Sequence, residues 1–597
     1  MTADVILGEI IREYFETVAF EMNTTMENTT ISQVFSEAHD CSAGVFFLDG
    51  KEVSLIARAY AEPVHIFASV HSVQGLVSYY GNDLADGDIV VVSDPYYYGT
   101  HIPDYTVMKP VFFSGKPVFF PAVRGHMIEV GGPVAGGYNQ DARDTWQEGF
   151  RFAPLKLYQR GELRQDIIDM LVANNRQPDV LLGDINAMMG ACRLAERRVR
   201  ALIEKYGVDT VLGATRYMLD YSERRVRDRL AEWPDGTYAG RSVLDGDFAG
   251  TRDINVDCTI EIKGDEAVVD FTGSSPQVRG YVNSRPGNTG SWVYSSFSVV
   301  FPDIPINSGF FRPISMIMPE GTVVHAVSPA PVGNSTVCIG NDIGQAVMRC
   351  LERIVPELVG AAGLDLCPSI FYGRDPRRPD TPFYVSVEYF ATPISSGAAY
   401  GVDGWGGFSV PHSTVTITTV ELQEVVYPIL YLQCEYAGDT AAPGRWRGTP
   451  AWHCQRQNPD GTVVVHHLSL QGAEHPLQGY AGGSPGAGNY AIVDYGGPNE
   501  LKVTHSLVDY HSQPGEIIMF QSSGAGGWGP ALERDPNLVL EDVRNEFVSV
   551  DVARRDYGVV LVGSPPQADP AATDRLRAQL RAERTTESQP APAEQVG

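Results

Sequence analysis

The sequence is poor in basic residues and lacks the common nucleotide-binding and nucleophile motifs. Its 597 residues contain 45 Lys and Arg but 73 Asp and Glu, which gives a formal net charge of −28. This balance excludes a basic nucleic-acid-binding surface and disfavours contact with an anionic membrane. A GxxxxGK(S/T) phosphate loop, a strand–GxGxxG–helix unit and a GxSxG nucleophile elbow are all missing. The sequence therefore indicates no nucleotide site.

Long apolar runs and paired cysteines are missing as well. No stretch of about 18 uninterrupted apolar residues occurs, so no membrane-spanning helix is predicted. None of the eight cysteines forms a CxxC pair, which argues against a zinc ribbon or a dithiol redox motif. The opening segment, MTADVILGEIIREYF, is acidic and amphipathic, unlike a secretory signal peptide. We therefore expect a soluble protein of a reducing compartment, the cytoplasm.

What is present is the composition of a large globular chain, with 43% hydrophobic and 20% charged residues. Apolar residues at helical spacing predict a first helix over 5–30 and a helical segment over 162–230, while β-branched runs predict strands over 255–273. We expect a multidomain α+β fold, with a mixed N-terminal lobe and its helical segment followed by β-rich lobes. The predicted divisions are an N-terminal metal-site lobe (1–230), a mixed α/β middle region (231–430), a β-rich C-terminal region (431–564) and a disordered or weakly helical tail (565–597).

A predicted hairpin brings two distant polar residues together. Strand patterns at 105–113 and 117–125 flank a three-residue loop, Ser114-Gly115-Lys116. Paired residues in an antiparallel hairpin have a constant index sum, here about 230. Asp104 and His126 sum to 230, so they should lie opposite each other on one face with Cβ atoms about 4.5–5.5 Å apart. A bulge of one residue would put the two side chains on opposite faces.

A third residue, His101, lies three positions before Asp104, in the loop after a strand that ends near 92. One tight turn brings its side chain to the same corner as Asp104 and His126. Two imidazoles and a carboxylate form a common site for Zn²⁺, Mn²⁺ or Fe²⁺. Such a metal ion could polarise a carbonyl or activate water. The alternative is a hydrogen-bonded Asp–His pair that closes the hairpin without a metal.

Other polar residues are weaker candidates. Asp40 precedes a strand and is either a further ligand or a turn residue. The acidic run near 141–148 either lines the same pocket or forms a solvated face. His65 and His71 form another candidate cluster without supporting spacing.

Several segments of the sequence resemble the hydantoinase B/oxoprolinase family, and the resemblance covers about 1–562. That family includes subunits of ATP-dependent hydantoinases, caprolactamase and 5-oxoprolinase, and of acetone and acetophenone carboxylases. The segments are FSEAHDCSAGVF (35–46), SDPYYYGTHIPD (93–104), RGHMIEVGG (124–132), EGFRFAPLKLYQRG (148–161), VDFTGSSPQVRGYVN (269–283), PDIPINSGFFRPI (302–314), PGRWRG (443–448) and GAGGWGPALERDPNLVLEDVRNEFVSVDVARRDYGVVL (524–561).

The resemblance implies a metal held by His101, Asp104 and His126, the residues that the hairpin arithmetic selects. It also implies that Asp40 is an additional ligand.

One departure from the family pattern concerns the residues after His126. Hydantoinase-like members often continue with a second His and with Asp, where this chain has Met127 and Glu129. The role of that second His, in substrate contact or proton transfer, is therefore open here. We predict Glu129 and Asp141 as the pocket acids that transfer protons.

The resemblance also implies a partner and a reaction. Family members work with a hydantoinase A-like subunit of actin/Hsp70-like fold that binds ATP and Mg²⁺, which agrees with the missing phosphate loop. The leading hypothesis is the metal-bearing subunit of an ATP-dependent enzyme that hydrolyses a cyclic amide, such as a hydantoin, oxoproline or a lactam. The second is the equivalent subunit of an ATP-dependent ketone carboxylase. The third is a scaffold subunit without a metal.

Overall fold

The N-terminal part of the chain folds around an antiparallel eight-stranded sheet. The computed structural model describes residues 5–363, 369–387, 396–406, 412–459 and 461–587. The strands are β1 (Cys41–Asp49), β2 (Glu52–Arg58), β3 (Ile89–Val92), β4 (Asp104–Met108), β5 (Val111–Phe113), β6 (Lys116–His126), β7 (Leu155–Gln159) and β8 (Glu162–Leu163). Their order is β2-β1-β6-β4-β3-β7-β8, and β5 also pairs with β6.

Helices cover both faces of this sheet. They are α1 (Val5–Thr29), α2 (Gln33–Ser36), α3 (Pro63–Tyr80), α4 (Gln165–Ala173), α5 (Pro178–Tyr206) and α6 (Val208–Leu230). On one face, Phe15 of α1 packs on Phe119 of β6, with ring centroids 5.4 Å apart. On the other face, Arg124 of β6 donates a hydrogen bond to Ser72 of α3. Because side chains alternate along β6, these contacts bury the sheet on both sides.

The middle part of the chain packs against α3. Its sheet has the order β12 (Ile314–Ile317), β11 (Glu266–Asp270), β10 (Arg252–Lys263) and β9 (Gly236–Gly246). Its helix α7 (Pro286–Val300) lies against both α3 and α9 (Gly340–Ile354). Cores of the N-terminal and middle parts merge into one apolar cluster. This part also contains α8 (Ser308–Phe311) and a π-helical turn (Ser335–Ile339) that leads directly into α9.

Two further sheets form the C-terminal part. The first contains β13 (Ser369–Arg374), β14 (Phe383–Val387), β17 (Val464–Ser469) and β20 (Ser506–Ser512). The second contains β15 (Leu430–Tyr436), β16 (Trp452–Gln457), β18 (Tyr490–Val493), β19 (Leu501–Val503) and β21 (Ile517–Gln521). The remaining elements are α10 (Val420–Val426), α11 (Pro536–Arg544), α12 (Val550–Arg555), β22 (Leu561–Val562), β23 (Gln567–Ala568) and α13 (Pro570–Glu587).

This architecture confirms the predicted multidomain α+β class. The predicted helical segment over 162–230 consists of three helices, and Gly207, at a φ of +80°, separates the last two. The segment predicted as a tail contains helix α13, from which Arg577 donates hydrogen bonds to backbone carbonyls at 534 and 557. Among the described helices, none combines the length and the apolar character needed to cross a bilayer.

Candidate metal centre

The β4–β6 hairpin has the predicted register at its open end. Asp104 pairs with His126 and Met108 pairs with Ala122, so the index sum is 230. The predicted three-residue loop is wrong, because Phe113 pairs with Lys116 and leaves a two-residue turn. A register shift after Val111 compensates for the shorter turn and restores the sum of 230. With a three-residue loop, a bulge would have placed Asp104 and His126 on opposite faces. With the two-residue turn, the register shift keeps them on one face.

Asp104 lies at the centre of a fully buried cluster. Its Oδ1 is 2.9 Å from His101 Nε2 and 3.5 Å from His126 Nδ1. Its Oδ2 accepts a hydrogen bond of 2.5 Å from the Thr100 hydroxyl, which fixes the plane of the carboxylate. One possible ligand atom from each of the three residues lies within 4.8 Å of the others. The structure thus brings together His101, Asp104 and His126, as the sequence predicts.

Asp40 lies beside this cluster, directly before β1, the other neighbour of β6. In the part of the chain that the structure describes, the ligand atoms within 4.8 Å of one another come from His101, Asp104 and His126 and not from Asp40. Strand β1 pairs with β6 with Cys41 opposite Gly125, and the His126 amide donates to the Asp40 carbonyl. His126 is therefore flanked by Asp40 on the β1 side and by Asp104 on the β4 side. Recognising that β1 pairs with β6 would have placed Asp40 from the sequence.

His65 also joins the cluster. It lies in the first turn of α3 and is buried, and its Nε2 is 3.5 Å from Oδ1 of both Asp40 and Asp104. Burial lowers the pKa of His65 to about 3, although Asp104 opposes that effect. His71, its predicted companion, packs instead against Tyr98 and Gly287. The two residues are six positions apart on α3, so their side chains point in directions about 120° apart, and helical spacing alone separates them.

His101 is oriented by the middle part of the chain. Its Nδ1 donates a hydrogen bond of 2.9 Å to the Gly333 carbonyl. In neutral His101 the other nitrogen, Nε2, then carries a lone pair that faces the Asp104 carboxylate at 2.9 Å. A lone pair and a carboxylate repel each other unless a proton or a metal cation lies between them. A backbone carbonyl on the remote nitrogen is the usual arrangement for a metal-bound His.

Glu148 supports His101 through the same residue, Gly333. Its carboxylate accepts a hydrogen bond from the Gly333 N–H, and the C=O of the same residue faces His101. The side chain is buried, and burial raises the pKa of Glu148 to about 8. The sequence predicted Glu148 only as part of an acidic run. In the structure the members of that run have different roles, since Asp144 accepts a hydrogen bond from the Trp146 amide at the start of a short helical turn.

Aromatic and hydroxyl groups close the remaining sides. The Tyr138 ring stacks on His126 with centroids 5.7 Å apart and an interplanar angle of 18°, and it also contacts His101. Thr336, in the π-helical turn, places its hydroxyl 3.4 Å from His101 Nδ1. These groups exclude bulk water from the cluster and present a polar edge beside it.

The predicted proton-transfer residues have other contacts. Glu129 is buried and accepts hydrogen bonds from the amides of Gly131 and Gly136, and its carboxylate pairs with Arg176 at 2.8 Å. Burial raises the pKa of Glu129, and Arg176 opposes that rise. The Asp141 side chain is 63% exposed and lies 3.9 Å from Arg143. The role of both acids in proton transfer stays a prediction.

The donor set fits a divalent cation. Burial by itself raises the pKa of Asp104, but His101 and His65 outweigh it and hold that pKa well below its usual range. Within the described residues, the buried His126 Nε2 has no hydrogen-bond partner. Imidazole and carboxylate ligands suit Zn²⁺, Mn²⁺ and Fe²⁺ alike.

Fold and site together define a multidomain α+β protein with a buried His–Asp–His centre on a β-hairpin. The family model for hydantoinase B/oxoprolinase matches residues 4–531, and the chain belongs to this family. Caprolactamase subunit beta of Pseudomonas jessenii is 33% identical over 97% of this chain and 99% of its own. The crystal structure of the ATP-dependent caprolactamase from that organism superposes with a TM-score of 0.89, at 32% identity, over 97% of this chain and 100% of the other. The acetophenone carboxylase delta subunit of Aromatoleum aromaticum is 25% identical over 91% of this chain and 84% of its own.

Proposed function

We propose that this chain is the metal-bearing subunit of an ATP-dependent enzyme that hydrolyses a cyclic amide, such as a hydantoin, oxoproline or a lactam. The observation that carries the proposal is the buried group of His101, Asp104 and His126. The likeness to caprolactamase subunit beta over nearly the full length of both chains supports a cyclic amide as the substrate.

The proposed partner is a hydantoinase A-like ATPase subunit, which holds ATP and Mg²⁺. The missing phosphate loop and the naming of relatives as subunits support this division of labour. Phosphoryl transfer to the amide oxygen would occur on the partner, and hydrolysis of the activated amide would occur on this chain.

In this chemistry His101, Asp104, His126 and Asp40 would hold the metal. A bound Zn²⁺, Mn²⁺ or Fe²⁺ supplies a Lewis acid for the carbonyl oxygen or for the attacking water. Thr100 and the Gly333 carbonyl hold Asp104 and His101 in position. Tyr138 shields the imidazoles from bulk water, which strengthens electrostatic interactions within the site.

Metal content and activity together test the proposal. Elemental mass spectrometry of the purified chain is expected to find about one equivalent of metal, lost in His126→Ala and retained in His71→Ala. Reconstituted with the ATPase subunit, the wild-type chain is expected to open a cyclic amide only when ATP is present. An active complex with His101→Ala would overturn the proposal and favour the scaffold hypothesis.

The second candidate function is that of an ATP-dependent ketone carboxylase subunit. The acetophenone carboxylase delta subunit, which aligns over most of both chains, favours it. The two reactions separate on bicarbonate, because only the carboxylase consumes it stoichiometrically and yields a 3-oxo acid. Incorporation of labelled bicarbonate with a ketone and ATP would establish the carboxylase, and amide opening without bicarbonate would establish the hydrolase.

A further inference from the structure

His65 touches both carboxylates of the candidate metal centre. Its Nε2 is 3.5 Å from Asp40 Oδ1 and 3.5 Å from Asp104 Oδ1. Its side chain is 6% exposed, so water does not compete for these contacts. Asp104 is the first residue of β4 and Asp40 directly precedes β1, the two strands that flank β6, whereas His65 comes from α3, which packs on that sheet. A single atom of α3 therefore connects the two carboxylates.

The second ring nitrogen shows how His65 differs from His101. His101 Nδ1 has a carbonyl acceptor, which leaves its Nε2 lone pair directed into the cluster. Within the described residues, the buried His65 Nδ1 has no hydrogen-bond partner. A neutral imidazole has one N–H, and buried donors are satisfied. The carboxylates provide acceptors only at Nε2, so the proton of His65 belongs on Nε2, and that nitrogen donates instead of binding a metal.

We propose that His65 is a positioning residue whose Nε2–H holds the carboxylates of Asp40 and Asp104 together around one cation. This inference rests on the proposed metal centre and adds a member to it. Two carboxylates that converge without a cation repel each other. A donor shared by both reduces that repulsion and presents them to the ion in a fixed geometry. Such supporting residues commonly contribute 10- to 100-fold to metal affinity.

Two substitutions separate positioning from ligation. His65→Ala removes the donor, while His65→Gln keeps an N–H donor near the position of Nε2 without the imidazole ring. Metal affinity of the purified full chain is measured by competition with a chromophoric zinc chelator. We expect His65→Ala to bind Zn²⁺ about 10- to 100-fold more weakly and His65→Gln to recover most of the loss. His71→Ala is the control, because it removes an imidazole from the same helix outside the cluster.

Coordination itself is read from the visible absorption of the Co²⁺-loaded chain. A positioning role predicts that His65→Ala, saturated with Co²⁺, keeps the wild-type band positions and intensities. A changed spectrum, together with equally weak binding by His65→Gln, would overturn the proposal and make His65 a ligand. Unchanged affinity in His65→Ala, in a variant with a wild-type thermal melt, would also overturn it while leaving the proposed metal centre intact. A wild-type chain that binds neither ion would overturn the proposed centre and this inference with it.

Discussion

At the scale of the residue, Asp104 determines the geometry of the centre. One carboxylate oxygen faces His101, His126 and His65, while the other is held by Thr100. All of these side chains are buried, so their charges interact in a medium of lower effective dielectric than water. The same burial makes neighbouring carboxyl groups sensitive to pH.

Glu148 provides a test of that sensitivity. Burial raises its pKa from the ordinary 4.5 to about 8, so the folded chain keeps a proton that the unfolded chain has lost above about pH 4.5. The folded state therefore binds more protons, and the contribution of Glu148 to the free energy of unfolding decreases as pH rises from about 4.5 to about 8. Glu148→Gln cannot lose this proton, and we expect its stability to fall less over that range.

The measurement is urea unfolding at several pH values between 5 and 8. Glu162→Gln, at an exposed position of β8, serves as the matched control and is expected to follow the wild-type pH dependence. A Glu148→Gln variant whose stability falls as steeply as that of the wild type would contradict the prediction.

At the scale of the element, the β5–β6 turn sets the register that joins Asp104 to His126. Ser114 and Gly115 both have positive φ, +49° and +76°, which is the pattern of a type I′ turn. The two-residue turn and the register shift after Val111 together keep the pairing sum at 230. The sequence predicted the pairing of Asp104 with His126 but neither of these two features. The shorter turn and the register shift each move the pairing by one residue, in opposite directions, so their effects cancel.

Substitutions in this turn test its contribution. Among the residues that the structure describes, no heavy atom outside its chain neighbours lies within 4 Å of a Cβ added at Gly115, so the cost of Gly115→Val is conformational and not steric. We expect that variant to lose roughly 1–2 kcal/mol of stability, because a β-branched residue disfavours positive φ. Ser114→Asn is the control, since Asn-Gly favours type I′ turns, and it should keep or slightly raise stability. Thermal melts of both variants check this, and equal melting temperatures would contradict it.

At the scale of the whole molecule, the centre connects the N-terminal and middle parts. His101 bonds to the Gly333 carbonyl, Ser335 donates to the Thr100 carbonyl, and the Tyr96 hydroxyl donates to the Ala330 carbonyl. These contacts link segments more than 230 positions apart in the chain. A metal bound at His101 should therefore stabilise both parts together.

Metal removal tests this connection. A ligand that binds only the folded state at about 100 times its Kd contributes about 2.7 kcal/mol. We expect a chelator to lower the melting temperature of the main calorimetric transition of the wild-type chain and to leave that of His126→Ala unchanged. A shift confined to a minor transition would indicate that the centre stabilises the N-terminal part alone.

The local features of this protein follow from patterns within short stretches of its sequence. Helical periodicity, strand alternation and the constant index sum of a hairpin depend on residues close in the chain, and they were enough to predict the α+β class and the convergence of His101, Asp104 and His126. The rest of the centre depends on how distant elements pack together. The pairing of β1 with β6 brings Asp40, the packing of α3 brings His65, and the docking of the middle part brings Gly333 to His101 and Glu148. These contacts are long-range, and burial in the assembled core, which no local pattern encodes, selects them.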